Sequence, residues 1–241
     1  MGNFCEAPHL QVSCSSLTFA EYQLPSIRLS VLQGNIVEED VDAIITISSP
    51  NLKNSNGFGR YIQNKAGKSL EDECLKIIET DGCLTYGTAR CTTAGDLPCE
   101  YIIHAIVPPW EDKQDDEKFL LCIKKCLVLA DEMKMTRISF PLLCAGIPGF
   151  PKEICAMNML KTIIEFAEEN KNTSINEIRI INHDNPTVRM FEEELKLLIP
   201  EKKMFKKQYN SGFLKVSGYD RNKLDVYNNN RLSVLEERKQ N

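Results

Sequence analysis

Residues 101–107 read Tyr101-Ile102-Ile103-His104-Ala105-Ile106-Val107, an almost unbroken apolar run. A strand wetted on one side alternates apolar and polar residues, so a run like this one needs cover on both faces. Residues 27–33, 43–47, 137–140 and 177–181 carry shorter runs of the same kind, and 88–93 reads as a further strand. Between them, helical spacing marks 57–66, 70–79, 118–133, 152–168 and 188–198. Buried strands alternating with amphipathic helices predict a three-layer α/β/α sandwich with a mixed, mostly parallel central sheet. Residues 1–25 have weak periodicity and stop at Pro25, so they read as an N-terminal arm or an edge strand. Residues 26–200 form the expected domain. Past Pro200 the chain turns polar and turn-prone, and 201–241 is expected to be a basic, flexible tail.

The 241 residues suit one core of ordinary size better than two. No apolar run approaches the ~18–20 residues that cross a bilayer. The first residues lack the basic-then-apolar order of a secretory signal, and Glu6 stands where an N-terminal acylation pattern wants Ser or Thr. Ten cysteines are scattered with no Cys-x-x-Cys, and only three histidines accompany them. That spacing offers neither a disulfide framework nor a zinc site, and it points to reduced thiols in the cytoplasm or nucleus. Residues 201–241 hold ten Lys/Arg against five Asp/Glu, which leaves nineteen against twenty-nine in 1–200. A body that acidic argues against specific nucleic-acid binding.

In open α/β sheets, ligands settle beyond the carboxyl ends of the strands. Three turn-rich segments fall there: Gly34-Asn35, residues 48–59, and the run Leu143-Cys144-Ala145-Gly146-Ile147-Pro148-Gly149-Phe150-Pro151-Lys152-Glu153. Glycines let backbone N–H groups approach a ligand closely. Pro151 sits at a helix start, where its missing N–H costs nothing, and the dipole of that helix favours an anion. Strand, glycine turn and helix N-terminus together make a phosphate site.

These segments, in this order, resemble a macrodomain, the module that binds ADP-ribose; the resemblance covers residues 27–198. Gly34-Asn35-Ile36-Val37 with Val41-Asp42-Ala43-Ile44-Ile45 is similar to the family's opening Gly-Asp-Ile-Thr and Val-Asp-Ala-Ile-Val. Ala66-Gly67 resembles the end of its first-loop helix. Tyr101 to Ala105 with Pro108-Pro109-Trp110, and Phe140-Pro141 through Glu153, resemble its later strand and its phosphate-wrapping loop. The resemblance implies ligand contacts at Asn35 and Ile36, at Ser49, Gly57, Phe58 and Gly59 in the first loop, and at His183 after the last strand. In the second loop it implies Cys144, Ala145, Gly146, Ile147, Pro148, Gly149 and Phe150. Asn35 replaces an acidic residue that accepts from the adenine amine, keeping the acceptor and losing the charge. His183 stands where the family stacks an aromatic ring on adenine. His104, inside a buried strand, reads as a satisfied core histidine, and Asp42 as structural.

The departures bear on enzyme against reader. The family's hydrolytic branch carries Asn-Ala-Ala-Asn, a glycine run and then an Asp. Here the corresponding residues are Thr46-Ile47-Ser48-Ser49 and Asn54-Ser55-Asn56-Gly57, with Gly59 at the Asp position. General-base help is worth ~10²–10⁴-fold, so its loss implies little turnover. Pro148 replaces an aromatic residue and removes one N–H from the turn. Cys144 has no histidine partner placed by the sequence. The leading reading is therefore a monomeric, cofactor-free, metal-free module with no catalytic residue that binds ADP-ribose or ADP-ribosylated proteins. An ADP-ribosyl hydrolase or O-acetyl-ADP-ribose deacetylase using an unconventional group is a second reading. A scaffold that has lost the nucleotide is a third.

Overall fold

The computed structural model describes residues 16–54, 57–110, 114–143 and 150–199. Strands β1 (Leu17–Gln23), β2 (Arg28–Gln33) and β3 (Ala43–Ile47) come first, with a 3-10 turn at Ile36–Glu38 between the last two. Helices α1 (Gly57–Ala66) and α2 (Lys68–Asp81) follow, then β4 (Thr88–Thr93), β5 (Tyr101–Ile106) and α3 (Gln114–Glu132). The chain closes with β6 (Arg137–Phe140), α4 (Lys152–Glu169), β7 (Glu177–Asn182) and α5 (Asn185–Leu198).

The seven strands form one sheet in the order β1-β2-β7-β6-β3-β5-β4. The five inner strands run parallel, and β1 and β4 pair antiparallel at the two edges. This is the mixed, mostly parallel α/β/α sandwich that the apolar runs predict. Successive residues of a strand face opposite ways, and here both directions are dry. Ala43 and Ile45 pack in a cluster with α3, α4 and α5, while Ile44 packs in a second cluster with α1 and α2.

The helices bury the stripes their sequences mark. On α3, Phe119, Cys122, Ile123, Cys126, Leu127 and Ala130 recur at helical spacing and are all buried. α4 is buried on most sides from Ile154 to Ala167 and covers the middle of the sheet. α5 begins three residues before its apolar stripe does. Asp184 caps it by accepting the Thr187 N–H at 3.0 Å, and Pro186 occupies its first turn.

The strand starts are knit together at one rim. Asp42 accepts from the N–H and hydroxyl of Thr136 and from the Arg137 N–H, which ties β3 to β6. Burial works against charge on Asp42, but these hydrogen bonds, with the Arg137 charge, outweigh it and hold the carboxyl below its usual range. Asp131 clasps Thr173 and Ser174 in the same manner ahead of β7. Nearby, Arg179 donates to Glu177 at 2.8 Å and to Glu39 at 3.2 Å, both carboxylates being buried.

Candidate functional site

The opposite rim, at the carboxyl ends of β2, β7 and β6, carries a cleft of about 810 Å³. Its walls are Gly34, Asn35 and Ile36 after β2, Asn182, His183 and Asp184 after β7, and Pro141 and Leu142 after β6. Gly57, Phe58 and Tyr61 from α1 close one side, and Lys152 at the start of α4 closes another. Tight approach explains Gly34. A Cβ there would stand 2.9 Å from Ser16 Cβ and 3.0 Å from the Ile181 side chain. The Gly34 N–H continues the β2–β7 ladder to the Asn182 carbonyl at 3.0 Å, so the turn into the cleft is fixed at its root.

Helix ends give the cleft its electrostatic character. Among the described residues no side-chain cap is made at the N-terminus of α4, whose N-cap is Pro151. That end keeps its orphan N–H groups and its positive dipole. The N-terminus of α5 differs, because Asp184 spends its carboxylate on it. Burial works against charge on Asp184, but the hydrogen bonds from Thr187, with the neighbouring His183, prevail and hold its carboxyl low. Asp184 is the sole carboxylate among the described lining residues, and it is occupied as a cap. Chemically, the described lining suits an anion at the helix end.

Of the residues singled out from sequence, Asn35, Ile36, Gly57, Phe58 and His183 line this cleft together. Cys144, Ala145, Gly146, Ile147, Pro148 and Gly149 lie outside the described residues. Ser49 is not among the described lining residues. Its hydroxyl has two acceptors for its one hydrogen, Asn51 Oδ1 at 2.8 Å and the Lys53 carbonyl at 3.1 Å, both within its own loop. Phe150 is buried rather than lining: its ring centroid lies 4.3 Å from that of Trp110 and 5.0 Å from that of Phe119. Gly59 is buried too, and a Cβ there would meet Asn54 Cγ and the Ile47 carbonyl oxygen, each at 2.8 Å. Asn54 thus fills the space into which a larger residue at 59 would project. Its Nδ2 donates to Ser48 Oγ at 3.3 Å, and its Oδ1 accepts the Ser49 N–H at 3.3 Å.

Behind that loop, Ser48 Oγ lies 2.8 Å from His104 Nδ1, and Thr92 Oγ1 lies 2.9 Å from His104 Nε2. Both ring nitrogens have partners, and burial pulls the imidazole down to about 4. Neutral and sealed off, His104 braces the first loop from below. Burial also pushes the thiols of Cys74, Cys91 and Cys99 up to about 11, far from a nucleophile's range. Among the described residues, no group of His, Cys, Asp or Glu is arranged to hold a metal.

Sequence reasoning missed Tyr61 and Glu38. Tyr61 lies one turn beyond Gly57 and three residues beyond Phe58, so it shares their helix face; that spacing was the available signal. Its hydroxyl reaches Asn35 Nδ2 at 3.2 Å, across the cleft from α1 to the β2 loop. Glu38 accepts from the same Nδ2 at 3.0 Å.

Comparison with known proteins agrees with this geometry. The Macro domain family model matches residues 49–159. A Macro domain-containing protein of Listeria monocytogenes is 37% identical over 169 residues, which is 69% of this chain and 96% of that protein. A Shigella dysenteriae protein named O-acetyl-ADP-ribose deacetylase is 29% identical over 170 residues, 70% of this chain and 95% of the other. Among solved structures, the Oceanobacillus iheyensis macrodomain with ADP superposes with a TM-score of 0.71 at 26% identity, covering 77% of this chain and 98% of that one.

Proposed function

Because this chain belongs to the macrodomain family, we propose that its cleft binds ADP-ribose, free or attached to a protein, without hydrolysing the conjugate. The observation that carries the binding half is the uncapped N-terminus of α4 beside a cleft at the strand ends. A diphosphate wants N–H donors and a helix dipole more than it wants side chains. The glycine-bearing segment 144–149, which precedes that helix in the sequence, is the one we assign to it. Adenine goes to the other end, between Asn35 and His183, both of which line the cleft. The macrodomain of Oceanobacillus iheyensis solved with ADP supports an adenine nucleotide as the ligand by likeness.

The reader half rests on the first loop. Gly59 has no carboxylate, Asn54 fills the space beside it, and Ser49 is tied to Asn51 and Lys53. The name of the Shigella relative favours a second reading, a deacetylase or ADP-ribosyl hydrolase. The same experiment decides between the two. Calorimetry with ADP-ribose on the full chain should give a saturable heat that Gly146→Glu abolishes by placing a carboxylate in the phosphate turn. Incubation with mono-ADP-ribosylated protein or O-acetyl-ADP-ribose should release no product over hours. Absence of heat and of a thermal shift at millimolar ligand would reject binding, and product release lost on changing a cleft residue would establish the enzyme.

We further assign the module to residues 26–200, acting as a monomer in the cytoplasm or nucleus. Strand β1 (Leu17–Gln23) adds an edge to the sheet of that module.

A further inference from the structure

We infer that Glu38 and Tyr61 set the base specificity of the cleft by holding Asn35 so that it offers the nucleobase an oxygen and no N–H. The inference rests on the nucleotide reading above and deepens it. A carboxamide has an acceptor at one end and a donor at the other, in nearly the same shape. Free to turn, it would serve adenine, whose exocyclic amine donates, and hypoxanthine, whose carbonyl accepts, about equally well. Asn35 is not free to turn. Its Nδ2 lies 3.0 Å from Glu38 Oε1. A carboxylate accepts and does not donate, so that end of the amide must be the NH₂ group. Turning the amide would set oxygen against oxygen and forfeit a charge-assisted hydrogen bond.

Tyr61 completes the constraint. Its Oη lies 3.2 Å from the same Nδ2 and only at 3.5 Å from Asn35 Oδ1. An amide nitrogen carries two hydrogens, and Glu38 and Tyr61 take one each. The donor capacity of Asn35 is used up within the protein, while Oδ1, which takes a long 3.5 Å contact from the Tyr61 hydroxyl, keeps a lone pair for the cleft. Nor is the side chain spent on capping: Asn35 precedes the 3-10 turn Ile36–Glu38, and its side chain takes no backbone N–H of that turn. That turn also fixes the distance, since the Glu38 N–H donates to the Asn35 carbonyl at 3.0 Å and holds Glu38 over its partner. Glu38 and Tyr61 are thus positioning residues, and the charge missing from Asn35 sits one hydrogen bond behind it.

Calorimetry on the full chain, with ADP-ribose and its hypoxanthine counterpart inosine diphosphate ribose, tests this as a ratio of affinities. Wild type should prefer ADP-ribose by roughly tenfold or more, the value of one hydrogen bond replaced by an oxygen–oxygen contact. In Glu38→Gln the new amide can donate to Asn35, the side chain can turn, and the ratio should fall to about threefold or less. Adding Asn35→Asp to Glu38→Gln should restore the ratio, because both carboxylate oxygens accept. A purely structural role for Glu38 would weaken both nucleotides alike and leave the ratio where it was. An unchanged ratio in Glu38→Gln, or no recovery in the double variant, overturns the proposal alone. Wild-type protein that binds neither nucleotide overturns it together with the reading beneath it.

Discussion

Lowering the pH from 7 to 5 should remove about 2 kcal/mol of stability through His104 alone. The ring is fully buried between Ser48 and Thr92, and burial lowers its pKa from 6.5 to about 4. In the unfolded chain the imidazole takes a proton near 6.5, whereas in the folded protein it resists until about 4. The folded state therefore binds fewer protons across that window. The contribution is whole above pH 6.5 and is lost as the pH falls toward 4, about 3 kcal/mol in all, of which about 2 is gone by pH 5. Urea denaturation followed by circular dichroism at pH 7 and pH 5, on wild type and His104→Gln, measures it. The carboxylates of Asp42, Asp131, Asp184 and Glu177 are held low in the fold, so they also shed stability as the pH falls. Their window begins near the ordinary carboxylate range, mostly below pH 5, and they titrate alike in both proteins. The difference between the two slopes isolates the histidine. Equal losses in wild type and variant would refute the argument.

Two further outcomes follow from contacts described above. Gly59→Asp, which puts back a carboxylate at the position the hydrolytic branch uses, should lower stability by about 1–3 kcal/mol, because its Cβ has no room beside Ile47 and Asn54. Differential scanning calorimetry should show the drop, with partial recovery on adding Asn54→Gly; an unchanged Tm would mean the space is open. Arg179→Met should cost about 1–3 kcal/mol, because it leaves the buried Glu39 carboxylate with the Ser139 hydroxyl alone and Glu177 with Arg28 alone. Urea titration at pH 7 checks this, and a cost under about 1 kcal/mol would place those carboxylates in effective contact with water.

Strand limits were legible wherever a dry run meets a turn. The predicted 43–47 and 137–140 match β3 and β6 residue for residue, because a strand buried on both faces has an abrupt apolar edge, and 88–93 matches the half-buried edge strand β4 as well. Helix starts were less legible. α5 opens at Asn185 instead of Val188, since Asn185, Pro186 and Thr187 add nothing to an apolar stripe and are recruited by the Asp184 cap. α3 likewise opens at Gln114, four polar residues ahead of the expected 118. In the site, Asn35, Ile36, Gly57, Phe58 and His183 were found through the family resemblance, and they line one cleft because the segments that carry them lie at strand and helix ends. Phe150 was read as a pocket residue, but Trp110 and Phe119 arrive from distant segments and draw it into the core. The orientation of the Ser49 hydroxyl, and the pairing of Tyr61 with Asn35, exist only once loop and helix are folded against each other.

Asp42, Asp131 and the Arg179 cluster sew the strand beginnings together at the rim remote from the cleft. The molecule thereby divides into a foundation and a superstructure. Its foundation is held by side-chain bonds that reach across long stretches of chain, while its recognition loops stand on the far side. For an engineer, this is a chassis whose upper loops can be exchanged for others of similar length while its assembly instructions stay below.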